Sequence, residues 1–175
     1  MNHRVSTLED LLILERNLAY SLGAMSDLDA ALKTLLETCL TIEGIDCGGI
    51  YRMDSTGACD LVLHRHHSPQ FIQAVQHFGA ESWEAQRVQE GKPIYLQLQS
   101  LTLPEMKALW GVEGIRAVAV IPIAHAGHVV ICLNVGTKTT DGIPLLIRQC
   151  IESIALHSGS VLARLHLEEE LRETQ

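Results

Sequence analysis

Histidine is the residue type with the most potential for chemistry in this sequence, since nine of its 175 residues are histidines. Imidazole pairs can bind a transition metal, and one axial histidine can hold haem iron. No acidic or thiolate ligand is grouped with the histidines at a recognisable spacing, so we expect no metal site. Six of them cluster along the chain, as His64, His66, His67 and His77, and as His125 and His128 on either side of a predicted turn.

The five cysteines argue against a disulfide framework and against a zinc or iron–sulfur site. Their number is odd and no two form a C-x-x-C pair. We expect them to be small buried hydrophobic residues in a reducing cytoplasm. They are Cys39, Cys47, Cys59, Cys132 and Cys150.

Sequence signatures of catalysis are absent. The chain has no Walker-type loop, no Rossmann fingerprint and no G-x-S-x-G elbow. His166 stands near Glu168 and Glu169 but lacks the context of a kinase phosphoacceptor, and we interpret this segment as a solvated helical face. The sequence therefore predicts a chain without a catalytic centre of its own.

Aromatic residues concentrate in the middle of the chain, where five of the seven lie. Apolar aromatic walls with a few polar groups suit a small planar ligand. The alternative is ordinary packing of a covering segment onto a sheet. The five are Phe71, Phe78, Trp83, Tyr95 and Trp110.

Composition narrows the class of protein. The length fits one domain, and 47% hydrophobic against 19% charged residues is a globular balance. A net charge of −8 disfavours nucleic-acid binding, which depends on basic residues. Residues 1–10 do not resemble a signal peptide, and no apolar run is long enough to span a membrane, so we expect a soluble cytoplasmic domain.

Hydrophobic periodicity predicts the order of the elements. Ser6 and Glu9 form a capping-box pattern for a first helix that ends near Gly23, and Ser26 or Asp27 begins a second helix that ends near Thr41. Strands are predicted over 46–53, 59–66, 93–98, 115–124 and 128–136, short helices over 70–78, 81–90 and 104–110, and a long helix from 144.

This order predicts an α+β fold with a central, mostly antiparallel sheet of about five or six strands, because the strands follow one another as hairpins. Two strands, 117–124 and 129–135, are almost continuously apolar, so both faces of the sheet should be covered. We expect the N- and C-terminal helices on one face, and the short helices and loops of the middle segment on the other.

Several segments, in this order, resemble the bacterial GAF domain family, whose fold is related to PAS domains. The segments are 26–29 and 44–46, then 49–54, the strand 114–123 and the strand 128–135. One position departs from the family pattern, because Ile131 stands where a glycine is usual. The resemblance covers nearly the whole chain.

The resemblance implies a regulatory module that binds a small ligand, dimerises, or does both. Neither the Asn-Lys-x-x-Phe-Asp-Glu pattern of cyclic-nucleotide GAF domains nor the Cys-His pattern of bilin attachment is present, and no haem or iron–sulfur motif is seen, so the ligand is unknown. A free-methionine-sulfoxide-reductase-like enzyme is a minor alternative. The resemblance places the ligand pocket at Tyr51, Met53, His64, Phe71, Phe78, Trp83, Tyr95, Trp110, Ile121 and Ile131.

The long C-terminal helix carries apolar residues at alternating steps of four and three, which is a heptad-type pattern. We interpret it as a dimer and signalling helix, with packing against the domain's own core as the alternative. The residues are Ile147, Ile151, Ile154, Ser158, Val161 and Leu165.

The chain is thus expected to be one GAF-like domain, residues 1–175, with about 1–24 and 144–175 as helical extensions that form a homodimer. It would control a downstream output domain, and a two-component sensor histidine kinase is favoured. The alternatives are a transcription activator, a cyclic-dinucleotide enzyme, or a purely structural domain.

Overall fold

The first two helices begin at side-chain caps. In the computed structural model, which describes residues 4–175, α1 spans Leu8–Gly23 and α2 spans Leu28–Cys39. The Thr7 hydroxyl accepts the Asp10 N–H at 3.2 Å, so the predicted Ser6 capping box is wrong by one residue. Residues 1–3 of the expected N-terminal extension lie outside the described part of the chain.

Six antiparallel strands form one sheet in the order β3-β2-β1-β6-β5-β4. This confirms the predicted fold class. The strands are β1 (Cys47–Met53), β2 (Cys59–Arg65), β3 (His77–Phe78), β4 (Ile94–Gln97), β5 (Ala117–His125) and β6 (His128–Thr137).

The strand β3, which is additional to the five predicted strands, comes from a segment predicted to be helical. Helix α3 spans only Pro69–Val75, and His77–Phe78 pairs with Cys59 and Asp60 at the sheet edge. The predicted helix 70–78 is therefore too long, because its last residues add to the exposed edge of β2.

The strands β5 and β6 meet in the tightest turn of the sheet, as their sequence predicted. Ala126 and Gly127 both have positive φ angles, 51° and 81°, which match the two-residue hairpin turn that follows the twist of the strands. Both strands are buried on two faces along most of their length.

Helices cover the sheet on both faces. The terminal helices α1, α2 and α6 (Leu145–Glu173) enclose the larger hydrophobic core against one face. The other face is covered by α3 (Pro69–Val75), α4 (Trp83–Gln89), a single 3-10 turn (Leu98–Ser100) and α5 (Pro104–Glu113). This is the predicted layering.

The heptad-type residues of α6 face the core of their own chain. Five of the six are buried there and Val161 is half-buried against them. They are therefore unavailable for the expected contact with a second copy. An apolar stripe at this spacing fits a neighbouring sheet as well as a partner helix, and here it faces the sheet. The buried five are Ile147, Ile151, Ile154, Ser158 and Leu165.

Within residues 4–175, no helix has both the length and the apolar character that crossing a membrane requires.

Candidate functional site

A cavity of about 600 Å³ lies between the sheet and the middle segment of the chain. Its floor is formed by strand residues such as Tyr51, Val120 and Cys132, and its roof by side chains of α3, α4 and α5. A volume of this order matches the sites that hold small organic molecules in proteins. We refer to it below as the cavity.

Half of the predicted pocket residues line the cavity. They hold the roof against the sheet: the Tyr51 hydroxyl donates a hydrogen bond to the Val75 carbonyl at 2.6 Å, and the Tyr51 and Phe78 rings lie 5.9 Å apart. The five that line it are Tyr51, Phe71, Phe78, Trp83 and Trp110.

Three other predicted residues, Tyr95, Ile121 and Ile131, lie on the opposite face of the sheet and do not line the cavity. The error is one of phase, because successive side chains of a strand point to opposite faces. Their neighbours along the chain do line the cavity: Leu96, Val120 and Cys132. Ile131 is completely buried under the terminal helices.

The remaining two predicted residues also lie outside the cavity lining. Met53 is buried beside Tyr51 and Cys59, at the end of β1. His64 is exposed on β2. A position on a neighbouring strand is therefore not enough to place a side chain in the site.

His67 is a polar residue of the cavity wall that the pocket prediction missed. Its ring stacks on Phe71 with centroids 4.6 Å apart, and its Nδ1 lies 3.3 Å from Glu113 Oε2. Both side chains are more than nine-tenths buried. The sequence does not reveal the pair, since 46 residues separate its members.

The environment of this pair favours a neutral histidine and an ionised glutamate. Burial lowers the pKa of His67, although the Glu113 carboxylate acts in the opposite direction. Burial would raise the pKa of Glu113, but the hydrogen bonds from Ser68 and His67 outweigh it, so the net shift is downward. The Ser68 N–H donates to the same Oε2 at 2.9 Å.

All five cysteines are free thiols and buried, which confirms the prediction of their packing role. Cys47, Cys59 and Cys132 line the cavity. Burial raises the pKa of Cys47 and of Cys59 to about 11, and raises that of Cys132 further. Since the thiolate is the nucleophilic form, these thiols are poor nucleophiles near neutral pH.

The cavity reaches the surface beside α4. Two of its lining residues, Trp83 and Leu103, are 55% and 56% exposed. The Arg87 guanidinium lies 5.3 Å from the centre of the Trp83 ring, and Glu84 also lines the cavity. The mouth therefore carries one charge of each sign beside an aromatic ring.

Two strands of the cavity floor also contact α6 from their opposite face. Arg52, next to Tyr51, donates to His166 Nδ1 at 3.0 Å and to Glu169 at 3.0 Å. Tyr95, next to Leu96, donates its hydroxyl to Glu152 at 2.9 Å. The prediction of a solvated helical face at His166 is wrong, since this residue is 4% exposed.

Three other histidines, His77, His125 and His128, each lie opposite one partner rather than in a cluster. His125 and His128 are opposite each other across the hairpin, and His77 Nδ1 lies 2.6 Å from Asp60. In the part of the chain that the structure describes, no group of three or more His, Cys, Asp or Glu side chains could hold a metal ion.

Comparison with known protein families agrees with the fold described above. The family model described as "GAF domain" matches residues 25–163, which is most of the chain. A comparison with curated proteins finds no match.

Solved structures similar to this chain come from several bacterial proteins. The GAF domain of a phosphoenolpyruvate-protein phosphotransferase from Coxiella burnetii has a TM-score of 0.75 at 16% identity, over 94% of this chain and 99% of that one. A domain assigned to a two-component sensor histidine kinase from Sinorhizobium meliloti has a TM-score of 0.67 at 20% identity, over 82% and 96%. The chromophore-binding domain of a bacteriophytochrome from R. palustris has a TM-score of 0.73 at 14% identity, over 95% and 65%.

Proposed function

This chain belongs to the GAF domain family, and we propose that it is a sensory domain that binds a small, mainly apolar molecule in the cavity. The observation that carries the proposal is the cavity itself, about 600 Å³ in volume and walled by aromatic and aliphatic side chains. A tightly packed interior rarely leaves a void larger than a water molecule, so a space of this size beneath a covering segment favours a ligand site.

Signal transfer would run through strands that contact both the cavity and α6. Tyr51 lines the cavity while its neighbour Arg52 binds the C-terminal half of α6. Leu96 and Tyr95 repeat this arrangement nearer the start of α6. A ligand that moves β1 or β4 by a fraction of an ångström would change the hydrogen bonds that hold α6, and its differential affinity for the two arrangements would set the response.

We further propose that α6 passes this change to an output domain and that the output is a histidine kinase. Similarity to a domain assigned to a sensor histidine kinase supports this choice. The last turns of α6, from Leu167 onward, are largely exposed apart from the contact of Glu169 with Arg52, so their outer surface can engage another domain.

The raised pKa values of the cavity thiols favour this regulatory role over cysteine-dependent catalysis. Cys47 and Cys59, with pKa values of about 11, remain protonated at neutral pH. A thiol-based reductase needs a reactive thiolate, and the wall of the cavity does not stabilise one.

A homodimer in this scheme would form through the exposed apolar residues of α1 and α6, in place of the buried heptad-type residues. Leu8 and Leu12 lie one helical turn apart on α1 and are 56% and 58% exposed, and Leu156 on α6 is 78% exposed. The two helices contact each other along the same layer. Exposed apolar side chains mark a partner surface only where they form one contiguous patch, and we infer that those of α1 and α6 do so.

The test of the proposed function is native mass spectrometry of protein purified from its source, followed by a thermal-shift screen of small aromatic and aliphatic molecules. We expect a bound molecule, or a screen compound that raises the melting temperature, because a ligand at 100 times its Kd stabilises by about 2.7 kcal/mol. No bound molecule and no response across the screen would contradict the proposal.

A cavity-filling variant makes the test specific. Val120→Trp places an indole in the floor of the cavity and should abolish the response. The matched control is Val62→Trp, a change on β2 at a residue that is 47% exposed and lies outside the cavity lining. Loss of the response in the control as well would assign it to a site elsewhere.

A further inference from the structure

The His67–Glu113 pair determines which nitrogen of the His67 imidazole can accept a hydrogen bond. Glu113 Oε2 accepts the Ser68 N–H at 2.9 Å and lies 3.3 Å from His67 Nδ1. An ionised carboxylate has no proton to donate, so Nδ1 must carry the proton of this hydrogen bond. In a neutral imidazole the other nitrogen, Nε2, is then an acceptor.

Nε2 of His67 is open to the cavity. The His67 side chain is 9% exposed and belongs to the cavity wall. Between residues 4 and 175, no protein group donates to Nε2, yet no fully buried side-chain nitrogen or oxygen lacks a partner. Nε2 is therefore accessible, and because His67 lines the cavity we infer that Nε2 faces it. The hydrogen bond to Glu113 fixes which nitrogen faces the cavity, and the stacked Phe71 ring holds the plane of the imidazole.

The cavity lining near this acceptor is mainly apolar, while the charges that act on the imidazole come from Glu113, Lys138 and His64. Phe71, Ile72 and Trp110 are among the lining residues on the same side of the cavity, where α3 and α5 cover the sheet. A ligand against Nε2 would displace water from it, so a ligand that cannot donate leaves the acceptor unpaired at a cost in free energy. The charged residues Glu84 and Arg87 lie on α4, beside the mouth.

We propose that the cavity selects neutral aromatic molecules that carry a hydroxyl or N–H group, which donates to Nε2 of His67. This inference rests on the proposed function, since it names the chemical class of ligand for the same cavity. Glu113 is the positioning residue: it orients the imidazole and fixes the tautomer. Phe71 holds the plane of the ring.

The test compares two probes that differ in one hydrogen-bond donor, 2-naphthol and 2-methoxynaphthalene. Their affinities for the whole chain are measured by fluorescence titration. We expect 2-naphthol to bind about tenfold more tightly, which is the size of effect of one buried hydrogen bond. In His67→Phe, which retains a flat ring against Phe71, the preference should disappear. In the control His128→Phe, at an exposed hairpin position, it should persist.

A nitrogen NMR measurement on the wild-type protein does not depend on whether the variants fold. We expect His67 as the Nδ1–H tautomer, with an Nε2 resonance that shifts when 2-naphthol is added but not when 2-methoxynaphthalene is added. The opposite tautomer would overturn the inference.

The titration separates this inference from the function on which it rests. Equal binding of the two probes to the wild type would overturn the ligand class and leave the cavity as a binding site. A preference that persists in His67→Phe would overturn the role of His67. Binding of neither probe would overturn the ligand class, and the proposed function would fall only if the thermal-shift screen also found no ligand.

Discussion

At the scale of single residues, two buried histidines, His67 in the cavity wall and His166 on α6, are held in the neutral form. His67 and His166 both have a lowered pKa, and burial is the largest cause for each. Each pairs with charged residues distant in the sequence, Glu113 and Arg52. A sequence shows that such histidines exist but not which partners the fold brings to them.

A pH dependence follows from His166. Burial lowers its pKa, and the Arg52 guanidinium acts in the same direction against the nearby Glu170. Because the folded pKa is below the unfolded value of about 6.5, the contribution is complete above that pH and is lost as the pH falls toward the folded pKa. We expect the free energy of unfolding in urea to fall between pH 7 and pH 5.

The contribution of His166 to this pH dependence is isolated by the variant His166→Gln. Its amide oxygen can still accept a hydrogen bond from Arg52 but does not titrate. This variant should lose less stability than the wild type over the same pH range. An equal loss in both proteins would show that His166 does not titrate in the way its surroundings imply.

The neighbours of Gly48 leave no room for a side chain at this position. A Cβ atom there would lie 2.8 Å from the Asn134 carbonyl oxygen and 2.8 Å from Leu36 Cδ1. Gly48→Ala should therefore destabilise the protein by about 1–3 kcal/mol in chemical denaturation.

The control for this change is Gly111→Ala in α5, where a Cβ would meet nothing within 4 Å. Alanine is favoured over glycine inside a helix by about 1 kcal/mol, so this variant should be neutral or stabilised. Similar losses at the two positions would mean that the crowding around Gly48 is not the cause.

At the scale of elements, polar contacts toward the two ends of α6 add to the apolar packing that holds this helix against the sheet. Arg52→Met removes the hydrogen bonds to His166 and Glu169 while keeping a long side chain. We expect faster hydrogen exchange in α6 beyond Leu165, since local opening there would cost less free energy. Arg164→Met is the control, because Arg164 and Glu168 form an exposed pair within the helix, worth at most about 0.5 kcal/mol. Equal effects of the two changes would argue against a specific role for Arg52.

The order and type of most elements could be predicted from periodicity and turn residues, but the orientation of the central strands could not. Strands such as β5 and β6 are apolar at nearly every position, so alternation carries no information on which face meets the helices. This is why Ile121 and Ile131 were predicted for the cavity and Val120 and Cys132 were not. The heptad-type spacing of α6 was ambiguous for a related reason, because a stripe of apolar residues does not identify its partner.

At the scale of the whole molecule, the sheet separates the cavity from the terminal helices, through which the proposed dimer would form. The cavity lies on one face of the sheet, and α1 and α6 lie on the other. In the proposed scheme, a signal to a second copy crosses the sheet through the strands that carry Tyr51 with Arg52 and Leu96 with Tyr95.

The dimer proposal is tested at the same scale. Leu12→Glu and Leu156→Glu each place a charge on the exposed apolar surface of the terminal helices and should increase the monomer fraction in light scattering. Val112→Glu, on α5 at a residue that is 84% exposed, should leave it unchanged. A wild-type chain that stays monomeric at high concentration would contradict the proposal.

Hydrogen exchange of α6 with and without a molecule in the cavity tests the central claim most directly. With saturating 2-naphthol, we expect a changed exchange rate in α6 beyond Leu165, as well as protection of the cavity roof formed by α3, α4 and α5. The change in α6 should be absent in Arg52→Met. If only the roof is protected and α6 exchanges at the same rate with and without 2-naphthol, occupancy of the cavity is not coupled to α6. That result would contradict the proposed route of signal transfer.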